Sequence, residues 1–298
     1  MVRIATRGSA LALWQARWVA AQLALHGAKS ELVVMQTQGD REQTAFAQMQ
    51  GQGFFTKAVQ DAVLERTADL AVHSYKDLPS AGVEGLTIGA VPVREDSREM
   101  LLVRQSAVDD KSFLPLKKGA KVGSSAVRRQ AQLRSLRPDL ELKELRGNVP
   151  TRIQKLRDRH YDAIVLAWAG VRRLGLDLSD LQTQVLPTEV LVPAPAQGAL
   201  AIECRSNDQT VLELLLKLDD PVAKRTVQAE RGLMARLAGG CQLALGASAQ
   251  MGEEGLELLA WYGGKLYHAV GSKPEAVVEE VYVAIVRQHP EAAVREPA

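Results

Sequence analysis

Gly123-Ser124-Ser125-Ala126-Val127-Arg128-Arg129-Gln130-Ala131 has the spacing Gly-Ser, five residues, Gln-Ala, and Gly8-Ser9-Ala10-Leu11-Ala12-Leu13-Trp14-Gln15-Ala16 has it too. In both places a short strand pattern precedes the glycine and a helical pattern follows it. Such a junction reads as strand, tight turn and helix, with Ser9 as a natural N-cap. Outward from the earlier copy, residues 2–5 read as a strand and 11–25 as a helix with Leu11, Trp14, Trp18, Ala21 and Leu25 on one face. Strands are expected at 32–36, 70–74 and 87–91, with a helix over 57–66. The segment 121–187 repeats this grammar, and Asp69-Leu70-Ala71-Val72 has a counterpart in Asp162-Ala163-Ile164-Val165. Short strands alternating with helices predict an α/β fold with mostly parallel sheets. The match is short, and strand-to-helix turns reuse glycine and serine in any case. If it is a true repeat, two similar lobes face each other across a cleft lined by loops at the carboxyl ends of the strands.

Candidate hinges are 92–97 and the proline-rich 187–195, after which 199–204 reads as an apolar strand. Beyond about residue 210 the pattern changes. Helices are expected at 211–218 and 223–237, strands at 256–261 and 265–270, and a helix running through Val286. The expected organisation is therefore a discontinuous first domain (1–92 and 191–210), a second over 97–188, and a small α+β third domain over 213–298.

With 298 residues, 46% of them hydrophobic, the chain can bury several cores. No apolar run approaches the roughly 18 residues of a membrane span, and the N-terminus lacks the apolar stretch of a secretory leader, so a cytoplasmic location is expected. Two cysteines and five scattered histidines suggest neither disulfide framework nor zinc site, and chemistry without a metal is expected. The net charge of +2 hides an asymmetry: residues 97–188 alone carry a net +8, flanked by near-neutral or acidic blocks. A basic middle segment asks for an anionic partner. Aromatic residues are only 4% of the chain, and none interleave with the arginines as a nucleic-acid stacking platform requires, so a small polyanion fits better.

Arginines recur at three successive strand-to-helix junctions: Arg128-Arg129, Arg146 with Arg152, and Arg172-Arg173. Singly, each reads as part of a solvated face. Their placement by loop rather than by helical period favours a shared pocket for carboxylate or phosphate, helped by free N–H groups at helix starts. His73-Ser74-Tyr75-Lys76-Asp77-Leu78-Pro79 closes the strand at 70–74. Asp77 there is either a salt-bridged surface turn or a carboxylate that stabilises developing positive charge, and His73 reads as structural. Cys204 lies on an apolar strand pattern and reads as core. Cys241, in Gly239-Gly240-Cys241-Gln242, follows a helix on a glycine turn, and both an inert packing role and a chemical one remain open.

Together, His73-Ser74-x-Lys76-Asp77-x-Pro79, Val122-Gly123-Ser124-Ser125 with Arg128-Arg129, Arg146-Gly147-Asn148 with Thr151-Arg152, and Gly239-Gly240-Cys241-Gln242 resemble the porphobilinogen deaminase family. The similarity runs in order from Ile4-Ala5-Thr6-Arg7 through Gln197-Gly198-Ala199 to Cys241. It implies two periplasmic-binding-protein-like lobes and a third domain whose cysteine holds a dipyrromethane cofactor by a thioether. It also implies a transferase that condenses four porphobilinogen molecules head to tail, releases ammonia each time, and hydrolyses off hydroxymethylbilane. By this resemblance Cys241 is the anchor and Asp77 the catalytic carboxylate. Lys76, Ser124, Arg128, Arg129, Arg146 and Arg152 match cofactor-contacting positions, and Arg7, Ser9, Gln15, Arg173 and Gln197 match substrate-contacting ones. A monomer is implied.

The chain departs from the family pattern at Gln52, where a lysine is usual, and at Gln38, Ala126 and Ala244. The first puts a cationic contact from the 51–55 segment in doubt, a segment that could serve as a lid. A non-catalytic two-lobed polyanion receptor explains the arginines but leaves Cys241 without a role. A cysteine hydrolase needs a histidine near the thiol, and the sequence nominates none.

Overall fold

The computed structural model describes residues 1–35, 54–237 and 243–293. Cys241 and the departures Gln38 and Gln52 lie outside the described residues, as do the side chains of Phe54 and Phe55 and hence the whole 51–55 segment as a candidate lid. The chain divides into two compact units, Met1–Glu95 with Gly198–Gln228, and Asp96–Gln197 with Ala229–Ala298.

In the first unit, β1 (Val2–Arg7), α1 (Ala10–Leu25), β2 (Ser30–Met35), α2 (Phe54–Leu64), β3 (Leu70–Ser74) and β4 (Leu86–Ala90) follow one another. Returning from the second unit, the chain adds β10 (Leu200–Arg205), α6 (Gln209–Leu215) and the start of α7 (Pro221–Arg236). The sheet order is β2-β1-β3-β10-β4, with β1, β2 and β3 parallel and β10 antiparallel to both neighbours. Successive side chains point to opposite faces of a strand. Ile4, Leu70 and Val72 therefore enter one core with Val19 and Leu23 of α1, while Ala5 and Ala71 enter another with Val59 and Val63 of α2. Each fully buried leucine or isoleucine contributes about 1.5–3 kcal/mol.

The expected inward face of α1 is corrected. Its buried residues are Gln15, Ala16, Val19 and Leu23, and Leu25 is exposed. The helix is apolar nearly all round, so periodicity could not select a face; a polar contact of Gln15, described below, and the shape of the sheet did.

The second unit contains β5 (Glu99–Arg104), β6 (Lys121–Gly123), α3 (Val127–Leu136), β7 (Glu141–Lys143), α4 (Val149–Arg157), β8 (Ala163–Ala167), α5 (Trp168–Leu174) and β9 (Leu181–Leu186). Its sheet order is β7-β6-β8-β5-β9, with β6, β7 and β8 parallel and β5 antiparallel to both neighbours. Strand for strand this is the arrangement of the first sheet, the strand after each crossover (β5 or β10) taking the fourth place. Along β5, Leu101 and Val103 face one core while Met100 and Leu102 face the other.

The short sequence repeat corresponds to this structural one. Ile4 pairs with Leu70 and Val122 with Ala163, so Asp69 and Asp162 precede equivalent strands. Each carboxylate accepts the backbone N–H at the head of the neighbouring strand, Arg3 at 2.8 Å and Lys121 at 2.9 Å. Each also meets the arginine that ends its unit's antiparallel strand: Arg205 reaches Asp69 at 3.5 Å and Arg104 reaches Asp162 at 2.5 Å.

A three-stranded antiparallel sheet, β11 (Gly246–Gly252), β12 (Gly255–Tyr262) and β13 (Lys265–Gly271), packs against α8 (Pro274–Gln288) and the end of α7 around its own core of Leu233, Leu256, Leu258, Val281 and Ile285. Gly263 and Gly264 join β12 to β13 with φ of 56° and 86°, the mirror-image turn that a two-residue hairpin favours. The architecture is thus α/β with two parallel-rich sheets and a small α+β region at the C-terminal end.

Candidate active site

Both larger sheets present their candidate residues at the carboxyl edge of the parallel strands, where the backbone leaves each strand and N–H groups at helix starts are unpaired. In the first unit Arg7 ends β1, and Ser9 caps α1, its Oγ accepting from the Ala12 N–H at 3.3 Å. Gln15 is buried because its Nε2 donates to Ser74 Oγ, the last residue of β3, at 2.8 Å. This bond ties α1, the helix that follows β1, to the end of β3. Directly after Ser74 the chain makes one 3-10 turn, Tyr75–Asp77, closed by the Leu78 N–H donating to the Tyr75 carbonyl at 3.2 Å. Lys76 is half-buried on this turn and Asp77 is exposed. Asp77 is therefore a surface carboxylate on this turn rather than a buried one.

His73 faces away from that edge. Its Nε2 lies 3.1 Å from Oε2 of Glu203 on β10, and Gln60 of α2 donates to both oxygens of the same carboxylate at 3.1 and 3.0 Å. All three are buried, which agrees with the structural reading of His73. Cys204 is fully buried, and burial with nearby Asp208 pushes its thiol up to about 11, so it is inert at neutral pH.

In the second unit the loop after β6 carries Ser124. Its N–H donates to the Lys143 carbonyl at 2.8 Å and its own carbonyl accepts from Gln130 at 2.6 Å. Its Oγ is buried and has no hydrogen-bond partner among the described residues. Ser125 ties this loop to the one after β7, its Oγ both donating to the Leu145 carbonyl and accepting from the Leu145 N–H at 2.9 Å. Ala126 stands at the N-cap of α3 and supplies no side-chain cap, so the helix start is not closed by its own residue.

Arg128 and Arg129 are buried, and their main partner is one the sequence reading missed. Glu99, fully buried at the head of β5, accepts from Arg129 Nε at 3.0 Å and Nη2 at 2.8 Å, and from Arg128 Nη2. Arg128 also donates to the Val192 carbonyl at 3.0 Å and to Gln197 Oε1 at 3.3 Å, and Arg129 to the Val165 carbonyl at 3.1 Å. Burial pulls the Arg128 guanidinium down to about 10 against the attraction of Glu99, with the Arg129 charge adding to the depression. It stays cationic at neutral pH. Two guanidiniums share one carboxylate, so the cluster keeps a net positive charge while many of its N–H donors are already used. A glutamate inside the apolar run Glu99-Met100-Leu101-Leu102-Val103 was the available signal.

Arg146 sits on the loop after β7 and Arg152 in the first turn of α4, the helix that follows. Arg146 is exposed and paired with Glu144 at 3.2 Å, and Arg152 Nε donates to the Gly147 carbonyl at 2.7 Å. Asn148 caps α4, accepting from the Thr151 N–H at 2.9 Å. Gly147 has φ of 117°, and a Cβ there would lie 2.8 Å from Thr151. Arg172 stands 6.0 Å from the Trp168 ring, and Arg173 is half-buried beside it on α5. Gln197 is fully buried, its Nε2 donating to the Ser97 carbonyl at 2.8 Å. Within this unit the structure brings Arg128, Arg129 and Gln197 into one network around Glu99. Among the described residues no cluster of His, Cys, Asp or Glu could hold a metal, and no helix is long and apolar enough to cross a membrane.

Residues 2–213 match the family model described as porphobilinogen deaminase, dipyromethane cofactor binding domain. A porphobilinogen deaminase of Syntrophotalea carbinolica is 43% identical over 287 residues, covering 94% of this chain and 89% of its own. One from Bacillus cereus is 40% identical over 295 residues, covering 96% and 94%. Among solved structures, an ancestral cationic amino acid solute binding protein aligns with 72% of this chain and 86% of its own at 14% identity and a TM-score of 0.44. The chain belongs to the porphobilinogen deaminase family.

Proposed function

We propose that the chain is the transferase that joins four porphobilinogen molecules head to tail with loss of ammonia and releases the linear tetrapyrrole hydroxymethylbilane. Family membership disfavours the non-catalytic receptor. The observation that carries the assignment of roles is the carboxyl edge of the first sheet, where β3 runs straight into the turn bearing Lys76 and the exposed Asp77. We place the enzyme in the cytoplasm as a monomer, with porphobilinogen as its partner and no role for nucleic acid or membrane.

The residues present fit a dipyrromethane cofactor. Its acetate and propionate groups ask for N–H, O–H and guanidinium donors, and the structure offers the orphaned Ser124 hydroxyl beside a helix start and exposed Arg146 on the next loop. Ser124, Arg128, Arg129, Arg146, Arg152 and Lys76 are assigned to its carboxylates and Cys241 to its covalent attachment. When bound, the cofactor supplies a pyrrole α-carbon as the nucleophile that starts the chain.

Arg7, Ser9, Gln15, Arg173 and Gln197 are assigned to the incoming porphobilinogen. Its carboxylates match Arg7 and Arg173; Gln15, joined to Ser74, also steadies the end of β3 from which the Asp77 turn starts. As the bond from the substrate's methylene carbon to ammonia breaks, positive charge spreads over its pyrrole ring. Asp77 accepts a hydrogen bond from the pyrrole N–H and balances that charge until the next ring attacks the methylene carbon and loses its α-proton.

Intact-mass measurement of protein made in a host supplying porphobilinogen tests the assignment. A two-pyrrole adduct is expected, absent in Cys241→Ser; an unmodified Cys241 would sink the attachment. In Asp77→Asn the circular dichroism should be unchanged and turnover lost, and near-normal turnover would remove Asp77 from the chemistry.

A further inference from the structure

Glu230, on the part of α7 that belongs to the second unit, is fully buried and has no role in the reading above. Its Oε1 accepts from the Ala249 N–H on β11 at 2.7 Å, and its Oε2 accepts from the Ala196 N–H at 2.6 Å. Ala196 has φ of 61°, a left-handed backbone that an alanine adopts only when its surroundings impose it. The next residue is Gln197, whose N–H donates to the Ala194 carbonyl at 2.9 Å and whose side chain spans from the Ser97 carbonyl to Arg128. The same segment is gripped from α3. Gln132 accepts from the Val192 N–H at 2.7 Å and donates to the Val192 carbonyl at 3.0 Å, where Arg128 also donates. The Ala247 N–H donates to the Pro193 carbonyl at 2.9 Å, and a Cβ on Gly246 would lie 2.8 Å from the Val192 carbonyl oxygen.

We infer that Glu230 is a positioning residue for ligand binding: by holding Ala196 in its left-handed conformation it aims Gln197 at Arg128, and so lets the C-terminal sheet set the geometry of the arginine network. A carboxylate suits this place because two inward N–H groups converge on it and a charged acceptor forms stronger hydrogen bonds than a neutral one. A glutamine offers one acceptor oxygen and turns an NH2 toward the other N–H, so one of the two bonds is lost. The inference rests on the reading of Gln197 and Arg128 as groups that serve the pyrrole carboxylates.

Such contacts lie away from the reacting carbon, so losing their alignment weakens substrate and transition state alike and raises KM at nearly constant kcat. A purely structural role predicts the reverse, fewer active molecules and a lower apparent kcat at unchanged KM. The experiment is steady-state kinetics of the cofactor-loaded enzyme with porphobilinogen, at a temperature where circular dichroism shows every variant folded. Glu230→Gln is expected to raise KM about five- to twentyfold with kcat within about twofold. Adding Ala196→Gly, which makes the left-handed backbone accessible without the carboxylate, should bring KM most of the way back. Should Glu230→Gln fail to fold, Glu230→Asp keeps the charge on a side chain too short to bridge both N–H groups and gives the same reading. A lower kcat at unchanged KM overturns the inference, as does a KM that the added glycine leaves raised. Gln197→Ala separates the two levels: if it raises KM while Glu230→Gln does not, only the positioning claim falls. If Gln197→Ala itself leaves KM unchanged, the reading beneath it fails and the inference falls with it.

Discussion

Arg129 grips Glu99 with a two-point fork, Nε to Oε1 at 3.0 Å and Nη2 to Oε2 at 2.8 Å, on a carboxylate with no exposed surface. Arg128 shares the same carboxylate, so one buried anion holds two cations that the family resemblance assigns to the cofactor. The arginine pair is thus part of the core as well as of the proposed site.

Removing that anion leaves two neighbouring buried guanidiniums uncompensated. Glu99→Gln is expected to lose about 3–5 kcal/mol of stability. Glu99→Gln with Arg129→Met should recover part of the loss by removing one stranded charge. Thermal unfolding checks both, and a single variant as stable as the parent would contradict the account.

The Ser124 hydroxyl gives a prediction of opposite sign for the free and loaded protein. Its Oγ is buried without a partner among the described residues, so Ser124→Ala should leave the cofactor-free protein as stable or raise its stability by about 1 kcal/mol. The extra stability gained on cofactor loading should shrink by about 1–3 kcal/mol. Unfolding of both forms by calorimetry measures the two terms, and an unchanged loading increment would detach Ser124 from the ligand.

Acid should weaken both larger sheets at matching positions. Burial alone would raise the Asp69 carboxyl, but its hydrogen bonds to Arg3 hold it below the ordinary carboxylate range. At Asp162 burial is likewise outweighed, by the Lys121 N–H and by Arg104. Folded carboxylates with lowered pKa bind fewer protons than the unfolded chain. Their stabilisation is therefore complete above the unfolded value of about 4 and is lost as pH falls through the lower folded values. Denaturant midpoints measured from pH 7 downward should decline through that window, and Asp162→Asn should make the decline shallower.

Thiol counting distinguishes the two cysteines. Cys204 is fully buried with its pKa raised, so it should resist alkylation in the folded enzyme and react only after denaturation. With two cysteines in the chain, a denatured enzyme carrying its cofactor on Cys241 should titrate one thiol, and Cys241→Ser should also titrate one. Two thiols in denatured, pyrrole-loaded protein would exclude a thioether.

Much of the fold was legible because strand-to-helix junctions carry local chemistry. Gly8-Ser9 and Gly123-Ser124 mark the ends of β1 and β6, and Asp69 and Asp162 mark the starts of β3 and β8 in the same register. The candidate residues at these junctions were visible for the same reason: a loop at a strand's carboxyl edge is adjacent in sequence to the strand that positions it. The face of α1 was not legible, since an almost wholly apolar helix has no preferred side until a sheet is laid against it.

The sequence by itself determined which residues form elements, where the chain turns, and that basic groups gather at successive strand ends, because these depend on neighbours a few positions apart. Tertiary structure alone decided the partners of buried charge. Glu99 reaches arginines about thirty positions away, Glu203 reaches His73 across 130 positions, and Glu230 joins Ala196 to Ala249. Those pairings follow from sheet order and from strands that return after a crossover, and no local period records them. A buried carboxylate must find cations or N–H donors wherever the folded chain places them, since leaving it unpaired in the core costs more than any local preference can supply.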